Sequence, residues 1–216
     1  MQITWKGQSC FQITTQKTKT PVNITIDPFS PEIGLRPPTG AADIVLVTHD
    51  HYDHNNTKAL LGQPFIISGP GEYEIRDVYI LGIPSWHDSS GGKERGQNTI
   101  YVIDAEDLRV CHLGDLGQKE LTEDQLEKIG QVDILMIPVG GNFTISEKEA
   151  QKIMSQIEPK ITIPMHYSIP KLKVKLDGVD KFLKSLGIKS MKPEPRLSIK
   201  KKDILPEEAK IIVLEP

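Results

Sequence analysis

The stretch Ile44-Val45-Leu46-Val47-Thr48-His49-Asp50-His51-Tyr52-Asp53-His54 decides how the rest of the chain reads. Its first four residues make a continuous apolar run of strand length, suited to a strand covered on both faces. The run leads straight into a turn. There His49 and His51, two residues apart, share a face. Asp53 and His54 turn towards a neighbouring point. Imidazole nitrogens beside a carboxylate suit a borderline divalent ion such as Zn²⁺. The chain holds six histidines, and three fall within these last six residues. Without an ion, so dense a group of basic and acidic side chains is costly.

Outward from this cluster, further donors fall at the ends of expected strands. His87 follows a strand over 78–83 and a Pro84-Ser85-Trp86 corner; Asp115 follows a strand over 109–113; His166 follows a strand over 161–165. Each alone is an ordinary strand-end residue. Together they supply the ligands of a two-metal site, because Asp115 can offer one oxygen to each ion. His112 lies in the strand before Asp115 and competes with His87 for a ligand position. A ligand belongs at or beyond a strand's C-terminal end, which favours His87. His112 then supports the site from behind or packs in the core.

The first third alternates as strands do, over 1–5, 10–14 and 22–26. The loop 29–40 holds Pro31, Pro37 and Pro38 and reads as extended. Asn55 or Asn56 can cap a short helix to Leu61. A strand over 65–68 and a hairpin pair over 73–75 and 78–83 follow. The segment 88–97 (DSSGGKERGQ) reads as a mobile loop. Further strands are expected over 99–104, 109–113, 134–139 and 161–165. Helices are expected over 122–129 and 146–157, each opened by a capping box, Thr122 with Gln125 and Ser146 with Glu149. A third helix, 179–186, stops at Gly187, and terminal strands cover 197–201 and 210–214. This order, strand-rich and then β-α-β-α-β, predicts an α/β domain of two mixed sheets packed together with helices outside.

The 216 residues carry a net charge of −3, with 38% hydrophobic and 25% charged residues, as expected of one soluble domain over 1–216. No apolar run nears the ~20 residues of a membrane span. Met1-Gln2-Ile3-Thr4-Trp5 reads as a strand rather than a leader, and Cys10 and Cys111 sit apart in apolar stretches. Both features predict a cytoplasmic protein with reduced thiols. Charge is uneven. Residues 171–202 hold eleven Lys/Arg against three acids, a local +8, whereas 1–170 carry −8. The basic segment reads first as a solvated surface and second as a patch for a phosphate-bearing ligand such as RNA.

With His-x-His-x-Asp-His at 49–54, His87, Gly114-Asp115 and Pro164-Met165-His166 in this order, the sequence resembles the metallo-β-lactamase superfamily. Within it, the sequence resembles the small single-domain hydrolases described as lactonase-like or of unknown substrate. Trp5-Lys6-Gly7-Gln8-Ser9-Cys10-Phe11 and Ile26-Asp27-Pro28-Phe29 are similar to N-terminal motifs of that subgroup. The resemblance implies a four-layer αββα sandwich. It implies that His49, His51 and His87 hold one ion, that Asp53, His54 and His166 hold a second, and that Asp115 bridges them. Asp27 would hold a ligand histidine by its other ring nitrogen. Related lactonases often carry His where Gln8 stands.

The expected cofactor is a pair of divalent ions, Zn²⁺ by default, with Mn²⁺ or Fe²⁺ as alternatives. Such a pair shares a hydroxide that attacks an ester, lactone or amide carbonyl of a small substrate. Asp53 and Asp115 are the catalytic carboxylates, Asp53 also orienting the nucleophile. A phosphodiesterase or ribonuclease of the same fold, or a β-lactamase side activity, is the alternative. A redox role in the manner of flavodiiron relatives ranks last, since no flavin domain follows. Candidate substrate contacts are Asn98 and Tyr167, and Lys93 and Arg95 could meet an anionic group if their loop closes. Small hydrolases of this type often pair, so a homo-oligomer is also expected.

Overall fold

The computed structural model describes residues 1–15, 20–205 and 209–216. Two mixed β-sheets face each other across one apolar core. The first contains β1 (Gln2–Gly7), β2 (Cys10–Thr15), β3 (Val22–Ile26), β4 (Ile44–Leu46), β5 (Phe65–Ile67) and β12 (Leu197–Ser198), in the order β12-β1-β2-β3-β4-β5. The second contains β6 (Gly71–Ile75), β7 (Val78–Trp86), β8 (Gln97–Ala105), β9 (Leu108–His112), β10 (Ile134–Pro138), β11 (Ile161–Met165) and β13 (Lys210–Ile211), in the order β13-β11-β10-β9-β8-β7-β6. Strands β3, β4 and β5 run parallel, as do β9, β10, β11 and β13. The alternation of β1, with Ile3, Trp5 and Gly7 buried and Gln2, Thr4 and Lys6 half-exposed, shows which face of the first sheet meets the core.

Among the described residues the α-helices all lie in the second half: α1 (Glu123–Ile129), α2 (Glu147–Ile157) and α3 (Val179–Ser185). Both expected capping boxes are formed, at Thr122/Gln125 and Ser146/Glu149, and satisfy N–H groups that a helix start leaves without partners. Over the first sheet the outer layer is thin. There the 3₁₀ turn Thr57–Ala59, where a short helix is expected, leads into Leu60, which packs with Ala42, Val45 and Val47. No helix among the described residues is long and apolar enough to cross a membrane.

Three local expectations are corrected. The 29–40 loop includes a 3₁₀ turn at Pro31–Ile33, capped by Ser30. Proline is welcome there because the first turn of a helix needs no N–H. The corner at Pro84-Ser85-Trp86 is absent, and β7 runs through it, pairing with β8 as far as Trp86. The N–H of Trp86 points away from β8, to Gln118 Oε1 at 3.3 Å, so Pro84, two residues earlier, also presents its nitrogen to the side where no strand pairs. The 88–97 loop is wound around one side chain. The Asp88 carboxylate accepts the backbone N–H groups of Ser90, Gly92, Glu94 and Arg95 at 2.8–3.0 Å.

The parallel strands bring the polar cluster together. Asp27 follows β3, the 49–54 segment follows β4, Asp115 follows β9, and His166 follows β11, all at C-terminal ends. His87 follows β7, which is antiparallel to β8 and arrives at the same edge of the sandwich. The two sheets are joined there by Thr99 N–H to Thr48 O at 2.9 Å and by the Tyr101 hydroxyl to Val47 O at 2.9 Å.

Candidate metal centre

Seven side chains from four chain segments converge at this edge. His49, His51 and His87 offer one set of ligand atoms, Asp53, His54 and His166 another, and His49, His54 and Asp115 a third that overlaps both; within each set the atoms lie within 4.8 Å of one another. Asp115 Oδ2 is the junction. It lies 3.1 Å from His166 Nε2, 3.3 Å from His54 Nε2 and 3.6 Å from His87 Nε2. The structure brings together the seven residues singled out in the sequence, and the first two sets are grouped as the resemblance implies.

Whether the cluster suits cations is decided by its unpaired atoms. Buried polar atoms in proteins nearly always have partners. Here His49 Nε2, both ring nitrogens of His54, His87 Nδ1 and His166 Nδ1 are buried with no hydrogen-bond partner. Five such atoms on four imidazoles, with the Nε2 atoms of His54, His87 and His166 gathered around Asp115 Oδ2, suit a divalent ion of borderline character. The electrostatics agree. Burial, and then the neighbouring His54, push His49 down to about 2, so it stays neutral with a lone pair available. Burial opposes charge on His54, but Asp115 and Asp27 overcome it and hold the imidazole well above its ordinary value. Burial likewise works against the Asp115 carboxylate, yet His166 and His54 keep it well below the usual range. The pocket thus favours positive charge beside Asp115.

Behind the ligands, Asp27 fixes two imidazoles. Its Oδ1 accepts the Thr48 N–H at 2.8 Å, and its Oδ2 accepts the Thr48 hydroxyl at 2.8 Å and lies 3.1 Å from His54 Nδ1. Thr48 Oγ1 is also 3.0 Å from His49 Nδ1. Because the hydroxyl proton goes to Asp27, the oxygen accepts from His49 Nδ1–H, which leaves Nε2 as the bare nitrogen facing the cluster. Asp27 therefore stands where the resemblance implies, and Thr48 is added to the set.

The turn between β1 and β2 contributes two residues that sequence reasoning did not place. Ser9 Oγ donates to Asp115 Oδ1 at 2.9 Å. Gln8 Nε2 reaches Asp53 Oδ2 and His166 Nε2, each at 3.0 Å, and the Gln8 carbonyl accepts the His166 N–H. Gln8, Asp27 and His166 all adopt left-handed backbone, with φ of 53°, 48° and 51°. Non-glycine residues in that region cost energy and gather at functional sites. The Trp5-Lys6-Gly7-Gln8-Ser9 motif was the available signal.

His112 is not among the clustered donors. Its Nε2 bonds Ser9 O at 2.8 Å and its Nδ1 accepts the Gly114 N–H at 3.1 Å. It is buried in the core and braces the two segments that position Asp115, as expected of a supporting residue. Asn98 and Tyr167 are corrected as substrate contacts. The Asn98 amide donates to Ser85 Oγ and Leu113 O and accepts the Asp115 N–H, so it holds the Asp115 loop. Tyr167 packs against Trp5, ring centres 4.7 Å apart, and donates to Leu214 O. Neither side chain is exposed enough to meet a substrate.

The loops pack closely enough to exclude even a methyl group. A Cβ on Gly140 would fall against the His166 carbonyl oxygen, closer than real Cβ atoms approach. Gly140→Ala is therefore expected to displace His166, lowering thermal stability by about 1–3 kcal/mol and reducing bound metal. Thermal unfolding with metal analysis of the purified variant checks this.

Residues 2–166 match the family model described as a beta-lactamase superfamily domain. A Thermococcus onnurineus protein named UPF0173 metal-dependent hydrolase is 30% identical over 195 residues, covering 78% of this chain and 85% of its own. A Methanopyrus kandleri protein of the same designation is 30% identical over 227 residues, covering 87% and 94%. A Thermotoga maritima crystal structure assigned to the metallo-beta-lactamase superfamily superposes with a TM-score of 0.80 at 36% identity, covering 99% of this chain and 98% of its own. With the histidine cluster placed at the sheet edge and these relatives matched along most of its length, the chain belongs to the metallo-β-lactamase superfamily and is an enzyme of that superfamily.

Proposed function

We infer that the chain is a dinuclear metal-dependent hydrolase acting on the ester, lactone or amide carbonyl of a small molecule. The observation that carries this is Asp115 Oδ2, within 3.6 Å of imidazole nitrogens from both the His49–His51–His87 set and the Asp53–His54–His166 set. When bound, a pair of divalent cations, Zn²⁺ by the chemistry of these donors, supplies a water-derived nucleophile at neutral pH and polarises the carbonyl under attack. The chain's own residues do the rest. Asp115 holds the two halves in register. Asp27 and Thr48 present His54 and His49 in the ligating tautomer. Asp53, tethered by Gln8, orients the attacking water. Ser9 Oγ is committed to Asp115, and burial pushes the Cys10 thiol well up, so neither serves as nucleophile. The buried, unpaired Cys10 and Cys111 accord with work in the cytoplasm.

The small-molecule reading is favoured over cleavage of RNA because the two ends of the basic segment, 171–175 and 200–202, lie at opposite ends of β10. Lys173 N–H bonds Ile33 O and Asn142 Nδ2 bonds Lys175 O, beside the site. Lys201 pairs with Asp133 at the start of β10, and Ile199 pairs with Met1 at the start of β1. The two groups of lysines are thus separated by a strand length, roughly 20 Å. Chelator-stripped protein is expected to lose hydrolysis of a neutral aryl ester or γ-lactone and to regain it at two equivalents of Zn²⁺. An undiminished rate after stripping, or uptake of no more than trace metal on reconstitution, would sink this reading.

A further inference from the structure

A cavity of about 750 Å³ opens beside the metal centre, with His49 and His51 at one part of its wall and Arg95 at another. Its size lies within the range of small-molecule sites. Ile66 and Pro70 give it an apolar side, and Ile66 is 49% exposed. Its charged lining is Arg95 and Asp50, and the Asp50 carboxylate is already engaged by the Asn55 amide.

Arg95 is held in place. Its backbone N–H is bound at 2.8 Å by Asp88, the residue after His87, so the loop that carries it is tied directly to the centre. One guanidinium nitrogen, Nη1, donates to the Phe143 and Asn142 carbonyls at 3.2 and 3.4 Å, and the group lies 5.1 Å from the Phe143 ring centre. These contacts fix its direction without neutralising it. No carboxylate pairs with it among the described residues. Glu94, its neighbour, instead accepts from Ser90 Oγ. Nε and Nη2 have no partner among the described residues, and that edge of the fork matches an oxyanion. Arg95 thus lines the same cavity as the ligand histidines, with a charge that no carboxylate offsets among the described residues.

We propose that this cavity is the substrate groove and that Arg95 selects substrates carrying a carboxylate remote from the scissile bond, with a short apolar spacer lying against Ile66 and Pro70. The inference rests on the hydrolase reading above. A carboxylate fits better than a phosphate. One donor edge matches one monoanion, and a phosphate dianion would bring a second charge towards Asp50. Lys93, exposed and outside the cavity lining, takes no part.

The test compares metal-loaded wild type, Arg95→Gln and Arg95→Lys on two esters of like length, 4-nitrophenyl hydrogen glutarate and neutral 4-nitrophenyl valerate, with glutarate binding measured by calorimetry. Arg95→Gln is expected to lower kcat/KM for the acidic ester by about 10- to 100-fold, mainly through KM. It should leave the neutral ester within about twofold, leave metal content unchanged, and weaken glutarate binding in parallel. Arg95→Lys should restore part of the preference. Equal losses on both esters would overturn the proposal, as would wild type showing no preference for the acidic one. A stronger preference for a phosphorylated ester would overturn the assignment to a carboxylate. If neither ester is cleaved the hydrolase reading fails, and glutarate binding that needs Arg95 still establishes the anion site, whereas binding indifferent to Arg95 refutes it.

Discussion

Asp115→Ala is expected to reduce hydrolysis by at least about 10³-fold and to leave the protein with one bound ion or none. The rate estimate corresponds to losing about 4 kcal/mol of transition-state stabilisation, a modest share of what a metal pair supplies. Among the described residues, Asp115 is the carboxylate that reaches both donor sets. Without it, five imidazoles and Asp53 would face two divalent ions with a single negative charge at contact. Repulsion between the ions would then go largely unscreened in a buried pocket. The site is also built to hold this side chain. Ser9 Oγ donates to Oδ1, Asn98 accepts its N–H, and His112 braces Gly114 beside it. Asp115→Asn keeps the shape and one oxygen but removes the charge, so it should retain more metal than alanine and still lose most activity. Metal analysis with steady-state kinetics on both variants checks this order. Full activity in the alanine variant would remove the bridging role.

Much of this centre is legible in the sequence because its donors are chemically conspicuous. His49, His51, Asp53 and His54 lie within one turn, and His87, Asp115 and His166 each follow a strand. The helix starts are legible for a similar reason, since a capping box is a local device satisfied within four residues. What the sequence hides is everything set by long-range pairing. Gln8 and Ser9 are unremarkable residue types, and they reach the site only because the β1–β2 turn meets the ends of β9 and β11. Asn98 and Tyr167 show the opposite error. Tyr167 is next to a ligand along the chain, but its side chain is packed behind the site, against Trp5. The 88–97 loop looks mobile by composition, since no local pattern reveals that one carboxylate, Asp88, gathers four of its N–H groups. That same fold-dependent arrangement puts Arg95 at the cavity, so the features closest to substrate choice are the ones composition conveys least.

Asp27→Asn is expected to weaken metal binding by about 10- to 100-fold while leaving the fold intact, because it reverses the direction of a hydrogen-bond chain. In the wild type, Asp27 can only accept. Thr48 must donate to it, so Thr48 Oγ1 accepts from His49 Nδ1–H, while His54 Nδ1 lies 3.1 Å from Oδ2 as an ion pair. His49 is then bare at Nε2; the Nε2 atoms of both rings have no hydrogen-bond partner in the pocket, and Asp115 and Asp27 favour the charged form of His54 until an ion displaces its proton. An asparagine amide in the same place would donate towards Thr48 Oγ1 and His54 Nδ1. The threonine proton would turn to His49 Nδ1, and both rings would carry their protons at Nε2, the atoms that the proposed site offers to metal. Asparagine tolerates the left-handed backbone at position 27, with its φ of 48°, better than alanine does, so thermal stability should change little. Competition with a chelator of known affinity would read the loss of binding. Nitrogen NMR of the histidine rings would read the tautomers directly, showing Nε2–H in place of Nδ1–H at His49 and His54. Wild-type affinity in Asp27→Asn, with the tautomers unchanged, would show that Asp27 is not the residue that aims these two ligands.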